Sequence, residues 1–329
     1  MPKVTSIFLF SLVLAVAFHH SGCRKDSGEP LVKSTIHDVK FWAYQIDDLY
    51  SSSSIEALVD SHYDLIVIDQ VRSLSGDEDY NTKEDADRIK NSPNSAGKKK
   101  LVISYLDAGQ AEKYRYYWKS TWETNPPEWL LEPDPDGWND NYSVMFWHPE
   151  WKSIIKNYLS GILDDGFDGV YLDWLMIYEL PSVMEAAQSQ GLDSKNELIG
   201  FIEELKTMAV SRNPEFIFIC QNAPELGQES RFTNLFDAIA QEHIWFDGSG
   251  DPDDGGDEGD HAVDPQETEY LLEQLNIWKQ KGKVVFNVEY ALSAENAGKS
   301  YLEGQQQGLL TYVTGRRLNK LSGTPPPSY

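Results

Sequence analysis

The stretch FDGVYLDW, residues 167–174, follows directly on the segment HPEWKSIIKNYLSGILDDG, residues 148–166. Read together they make an amphipathic helix, a glycine turn at Gly166 and a buried strand ending on a carboxylate, Asp173. In parallel α/β proteins the active site is built at the carboxyl ends of such strands. A strand-end Asp also commonly does no more than cap a turn, so the reading gains its force from recurrence. Seven further apolar, β-branched or aromatic runs are bounded by turn residues: VKFWAYQI (39–46), YDLIVID (63–69), KLVISYLD (100–107), EFIFICQN (215–222), AIAQEHIW (238–245), KVVFNVEYA (283–291) and GLLTYVTG (308–315). Near-continuous apolar runs imply strands buried on both faces. Eight of them, mostly separated by helical patterns, predict a (β/α)8 TIM barrel.

The intervening segments agree. From Asn196, apolar residues at Leu198, Ile199, Phe201, Ile202, Leu205, Met208 and Ala209 recur at three and four, and Pro214 stops the helix. A second helix is predicted over Gln266–Lys281, with Tyr270, Leu271, Leu275 and Trp278 inward. The connection after the third strand, about 109–148, is long and carries Trp118, Trp122, Trp129, Trp138 and Trp147; loops of that length are commonly functional.

The amino terminus has the order of an export signal: Lys3, an apolar stretch from Ile7 to Phe18, then small residues before Cys23. That stretch is short for a membrane span. Ser21, Gly22 and Cys23 follow the pattern of a bacterial lipobox, with His20 where an aliphatic residue is usual. Cleavage there would leave Cys23 as a lipidated mature N-terminus, placing the protein at a bacterial cell surface or in the periplasm. The predicted organisation is a lipoprotein signal over 1–22, a tether over 23–37, a barrel over 38–317 and a disordered tail over 318–329. With Cys220 inside an apolar strand and Cys23 acylated, no disulfide is expected, so the core alone must hold the fold.

The chain has 53 acidic and 28 basic residues, a net charge of −25. Nucleic acid is therefore excluded as a partner, because its binding needs Lys and Arg to displace phosphate counterions. A cationic polysaccharide suits the charge, as does simple solubility. No HExxH, CxxC, GxGxxG or P-loop pattern occurs, so no metal or cofactor is expected. The loop DGSGDPDDGGDEGDHAVD, 247–264, departs from a calcium loop at Gly255 and Ala262 and is read as a solvated flap.

A barrel gathers the strand-end side chains in one mouth: Asp47 and Asp48, Asp69, Asp107, Asp173, Asn222, Glu242 and Glu289. Like charges that close push one another's pKa apart and supply an acid and a base at neutral pH. Carboxylate pairs among Trp and Tyr have the composition of a sugar-cleaving cleft. His243, next to Glu242, points to the opposite face of its strand and is read as packed.

Together YLDAGQAEKYRYYW, FDGVYLD, ICQNAPEL, AIAQEHIW and NVEYA resemble the endo-alpha-1,4-polygalactosaminidase family of glycoside hydrolases, over nearly everything from Val39 to Gly315. Gln110 stands where members usually carry glutamate. The resemblance implies a (β/α)8 barrel acting on an α-linked, galactosamine-containing polysaccharide, with the family's strand-four aspartate on Asp173 and its strand-six glutamate on Glu242. The expectation is a surface-anchored, monomeric, endo-acting hydrolase that works by a retaining two-carboxylate mechanism. Asp173 and Glu242 are then catalytic. Asp69, Asp107, Asn222 and Glu289 position the sugar, and Tyr44, Tyr105, Trp174 and Tyr290 line the floor. The competing expectation is a carbohydrate-binding lipoprotein that keeps the barrel without turnover.

Overall fold

A computed structural model describes residues 31–253 and 255–327. Eight parallel strands form one sheet in the order β1 (Trp42–Tyr44), β2 (Leu65–Ile68), β3 (Leu101–Asp107), β7 (Gly169–Asp173), β8 (Ile217–Gln221), β9 (Ala238–Glu242), β12 (Val284–Tyr290) and β13 (Leu310–Thr314). Helices α1 (Ser52–Asp60), α2 (Thr82–Lys90), α3 (Pro149–Asp164), α4 (Pro181–Ser189), α5 (Ser194–Arg212), α6 (Ser230–Thr233), α7 (Pro265–Gln280) and α8 (Ala294–Gln307) lie between them. The barrel is nearly closed. Trp42 Nε1 donates to the Leu310 carbonyl at 2.7 Å and Ile46 N to the Leu318 carbonyl at 3.0 Å, tying the two ends of the sheet together.

Alternation along the strands explains the interior. Trp42 and Tyr44 are two residues apart and so share a face, and their rings meet those of Tyr171, Phe286 and Tyr312 at centroid distances of 4.9–6.4 Å. Aromatic rings fill the barrel to close packing, so the interior is a core and only its carboxyl end is open to chemistry.

The helices begin where the sequence provides caps. His148 Nδ1 accepts the Glu150 amide at 3.3 Å, and Pro149 follows in the first turn of α3. Asp193 caps α5 by accepting the Asn196 amide at 2.8 Å. Leu271, Leu275 and Trp278 of α7 are buried as expected. Tyr270, expected inward, is 48% exposed, because it lies off that apolar stripe.

The long connection after β3 folds into a small antiparallel sheet of β4 (Gln110–Glu112), β5 (Leu130–Pro133) and β6 (Asn141–Val144). Its tryptophans are the core of this insertion. Trp122, Trp129 and Trp147 are buried, and the ring centroids of Trp118, Trp122, Trp129 and Trp151 follow one another at 5.0–5.3 Å. Their density therefore reflects packing of a segment too long to rest on the barrel alone, with Trp138 kept near the mouth.

The acidic loop, expected as a solvated flap, contains an antiparallel hairpin of β10 (Phe246–Ser249) and β11 (Asp257–Ala262). Arg316 Nε donates to the Gly250 carbonyl at 2.9 Å, and Arg317 pairs with Asp253 at 2.9 Å. Within residues 31–37, expected as tether, two side chains are anchored: Ser34 Oγ donates to the Lys99 carbonyl at 2.7 Å and Ile36 is buried. Within the described part of the expected tail, 318–327, the Thr324 carbonyl accepts Tyr301 OH at 2.7 Å and Ser322 N donates to Tyr312 OH at 3.0 Å. Both segments find polar partners that composition does not reveal. The expected signal and Cys23 lie outside the described residues.

Candidate active site

The mouth is shaped by turns in a sparsely populated backbone region. Trp174, Asn222, Ala223 and His243, which follow β7, β8 and β9, all have positive φ, from 43° to 56°. Non-glycine residues held there cost about 1–3 kcal/mol each and cluster at functional sites. The turn at Trp174 brings its amide back onto Asp173 Oδ1 at 2.7 Å. Gly109, on the neighbouring β3 loop, must be glycine for this turn: a Cβ there would sit 2.2 Å from the Trp174 carbonyl oxygen.

Asp173 and Glu242 end strands two apart in the barrel. Asp173 Oδ2 accepts Tyr105 OH at 2.9 Å. Glu242 Oε1 accepts the hydroxyl of Tyr290 and Oε2 accepts Asn222 Nδ2 at 3.1 Å. Asn222 cannot turn over, because its Oδ1 accepts Gln241 Nε2 at 3.0 Å and the Glu242 amide at 3.2 Å. Burial first, then the Glu242 charge, pushes the Asp173 carboxyl up to about 7. A buried carboxyl beside another carboxylate holds its proton closer to neutrality than an exposed one does. Tyr44 lies among Tyr105 and Tyr171, at 6.5 and 5.0 Å between ring centroids. Its hydroxyl is pushed well up by burial, by Tyr171 and by the charges of Asp173 and Glu242. The structure thus brings Asp173, Glu242, Asn222, Tyr44, Tyr105, Trp174 and Tyr290 to one place.

Three expected sugar-positioning carboxylates are turned to other partners. Asp69 is buried, its Oδ2 2.6 Å from Arg115 Nη1 and its Oδ1 accepting the Gln70 amide at 2.8 Å. Glu289 is fully buried and accepts the amides of Ile244, Trp245 and Phe246 at 2.7–3.0 Å, with Asn287 Nδ2 at 2.8 Å. It clamps the segment after Glu242, and burial pushes its carboxyl up to about 7. Asp107 is 1% exposed, and its Oδ1 accepts the amides of Gly109 at 2.9 Å and Gln110 at 2.7 Å. Strand-end position puts a carboxylate on the rim. Which way it faces is decided by donors in loops that periodicity does not register.

The sequence reading also left out residues that complete the mouth. Arg115 is buried between Asp69 and Glu112, with Nε 2.6 Å from Glu112 Oε2. An i,i+3 Glu–Arg pair inside EKYR was the available signal. Arg316 stacks its guanidinium 5.7 Å from the ring centroids of both Trp138 and Tyr290 and pairs with Asp247 at 2.9 Å. Two adjacent arginines after the last strand of a strongly acidic chain were its signal. His243, read as packed, is partly exposed, with Nδ1 3.6 Å from Asp247 Oδ1. Among the described residues no cluster of three or more His, Cys, Asp or Glu is placed to hold a metal ion.

Comparison with known proteins places this geometry in context. The profile of glycoside-hydrolase family GH114 matches residues 30–325. An uncharacterized protein of Deinococcus radiodurans is 29% identical over 292 residues, covering 89% of this chain and 85% of the relative. Protein MJ1477 of Methanocaldococcus jannaschii is 32% identical over 267 residues, covering 79% and 69%. The glycoside hydrolase domain of PelA from Pseudomonas aeruginosa superposes with a TM-score of 0.63 at 14% identity, over 87% of this chain and 98% of that one. Ega3 of Aspergillus fumigatus, solved with galactosamine, gives 0.57 at 18% identity, over 89% and 95%.

Proposed function

The chain belongs to glycoside-hydrolase family GH114 and is a glycoside hydrolase, and on that premise we propose that it cleaves an α-linked, galactosamine-containing polysaccharide internally, with Asp173 as nucleophile and Glu242 as general acid and base. The observation that carries this reading is the pair itself. Each carboxylate ends its own strand, and each has one oxygen on a tyrosine hydroxyl and the other on an amide N–H. Such preorganisation fixes both groups before substrate arrives.

In a retaining reaction Asp173 attacks the anomeric carbon while Glu242 gives its proton to the leaving oxygen. Glu242 then takes a proton from water as that water releases the glycosyl-enzyme. Tyr105 steadies the charge on Asp173, and Asn222 and Tyr290 hold Glu242 through its change of role. Trp174, partly exposed at the mouth, offers ring surface to a pyranose, while Tyr44 is buried beneath the site and supports its floor. The strongly acidic chain and the galactosamine bound in the Ega3 structure support an amino sugar. Surface anchoring through lipidated Cys23 belongs to the same proposal, since an acyl chain would hold the enzyme near its polymer.

The test is a hydrolysis screen on amino-sugar polymers, partly and fully deacetylated, with the anomer of the first product read by NMR. Asp173→Asn and Glu242→Gln should each lower kcat by about 10²–10⁴-fold while leaving the fold intact. An inverted first product, or near-normal turnover in either variant, rejects the assignment. Intact glycan affinity with no turnover by wild type on any amino-sugar polymer rejects the substrate.

A further inference from the structure

Asp107 is a buried carboxyl beside the catalytic pair for which the mechanism has no use. It is the register partner of Asp173 across the parallel strands β3 and β7, just as Tyr105 is the partner of Tyr171. Those tyrosine rings point into the barrel, against Tyr44. Asp107 and Asp173, two residues further on, therefore point inward side by side, on strands about 4.8 Å apart. Two carboxylates so placed do not both ionise readily.

The environments of the two decide which one keeps a proton. Asp173 is partly exposed and has a donor on each oxygen. Asp107 is 1% exposed, its Oδ1 is held by two amides, and its Oδ2 is buried with no hydrogen-bond partner. The titratable groups that face it are Tyr105 on its own strand, Glu112 on β4, Tyr117 in the following loop and Asp173 on β7. Two of these are carboxylates. Arg115, the guanidinium of this cluster, is already divided between Glu112 and Asp69. An uncompensated buried charge is costly, and a carboxyl so placed neutralises instead.

We propose that Asp107 is a positioning residue that carries its proton on Oδ2 in the resting enzyme, so that Asp173 beside it stays ionised and ready for attack. The first half of this statement concerns Asp107 alone, while the second rests on Asp173 as the nucleophile. Burial, Glu112 and Asp173 all push the Asp107 carboxyl well up, in the direction the geometry requires.

Infrared difference spectroscopy of wild type against D107N, near pH 8, tests the first half. The expected result is a protonated-carboxyl C=O stretch present in wild type and lost in D107N; a difference showing only ionised carboxylate overturns the proposal. Should D107N fail to fold, wild type labelled with ¹³C at the aspartate carboxyls serves. One resonance should stay protonated up to about pH 8, and complete ionisation by then overturns the proposal. The pH profile of kcat/KM tests the second half. If Asp107 is already neutral, the acid limb in D107N moves by less than about 0.3 unit. A downward move of about a unit or more shows that Asp107 had been charged. D173N run alongside keeps the two readings apart: if it retains turnover the nucleophile is misassigned, while the infrared result on Asp107 stands by itself.

Discussion

At the scale of single residues, the proposed site depends on groups that hold Asp173 and Glu242 as much as on that pair. As the proposed nucleophile, Asp173 would need its charge to attack, and its carboxyl is pushed up to about 7 by burial and then by Glu242. Activity should therefore fall as pH drops through 7, with kcat/KM losing about tenfold per unit below it; a pH–rate profile flat down to pH 5 would contradict this. Gly109→Ala drives a Cβ into the Trp174 carbonyl and must displace the turn that places the Trp174 amide on Asp173. The expected outcome is about 1–3 kcal/mol of lost stability together with lost turnover, read by denaturant unfolding and a rate assay on the same sample. Glu289→Ala strands three buried amides after Glu242. Each unsatisfied group costs about 1–3 kcal/mol, so this variant should unfold at much lower denaturant than Glu289→Gln, which keeps one acceptor.

At the scale of elements, the acidic hairpin is held through side chains at its edges. Asp260 Oδ1 accepts the Leu292 amide at 3.0 Å and Asn296 Nδ2 at 2.8 Å, and its Oδ2 accepts the Ser293 amide at 3.0 Å. A carboxylate there also suits the positive end of α8. Asp260→Ala should cost about 1–2 kcal/mol, measured by thermal melting. Arg316 and Arg317 fix the other edge, so replacing both by Ala should release β10 and β11 and speed proteolysis within 247–262. An unchanged digestion pattern would show that the hairpin is held without them. The insertion of β4–β6 is different in kind, because its tryptophans give it an apolar core.

At the scale of the whole molecule, charge dominates. A net charge of −25 opposes compaction at neutral pH, and the two carboxyls Asp173 and Glu289 act in the same sense. Both lie near 4 in an unfolded chain and at about 7 when folded, so the folded protein binds more protons between those values. Their contribution to stability is whole below pH 4 and is lost as pH rises through 7. The melting temperature should therefore be higher at pH 5.5 than at pH 8, with a smaller difference in D173N. Added salt should raise it at pH 8 by screening surface repulsion. Cleavage of a cationic polymer should weaken in the same salt, and a salt-independent rate would return the net charge to a role in solubility alone.

The sequence by itself determined the eight strands, the barrel they form and the family. Buried parallel strands announce themselves as apolar runs, and eight such runs leave few other ways to bury both faces. The strand ends also located Asp173 and Glu242, because chain position at a strand terminus is a local property. Tertiary structure alone decided what each rim carboxylate faces. Asp69 turned to Arg115, Glu289 to the amides after Glu242, and Asp107 to a buried corner with one bare oxygen. The tryptophan-rich connection became a packed insertion, and the acidic loop a hairpin bound by arginines from beyond the last strand. Hydrogen bonds and ring contacts between residues far apart in the chain leave no period in the sequence, since their partners are fixed only when the barrel brings its loops to one end.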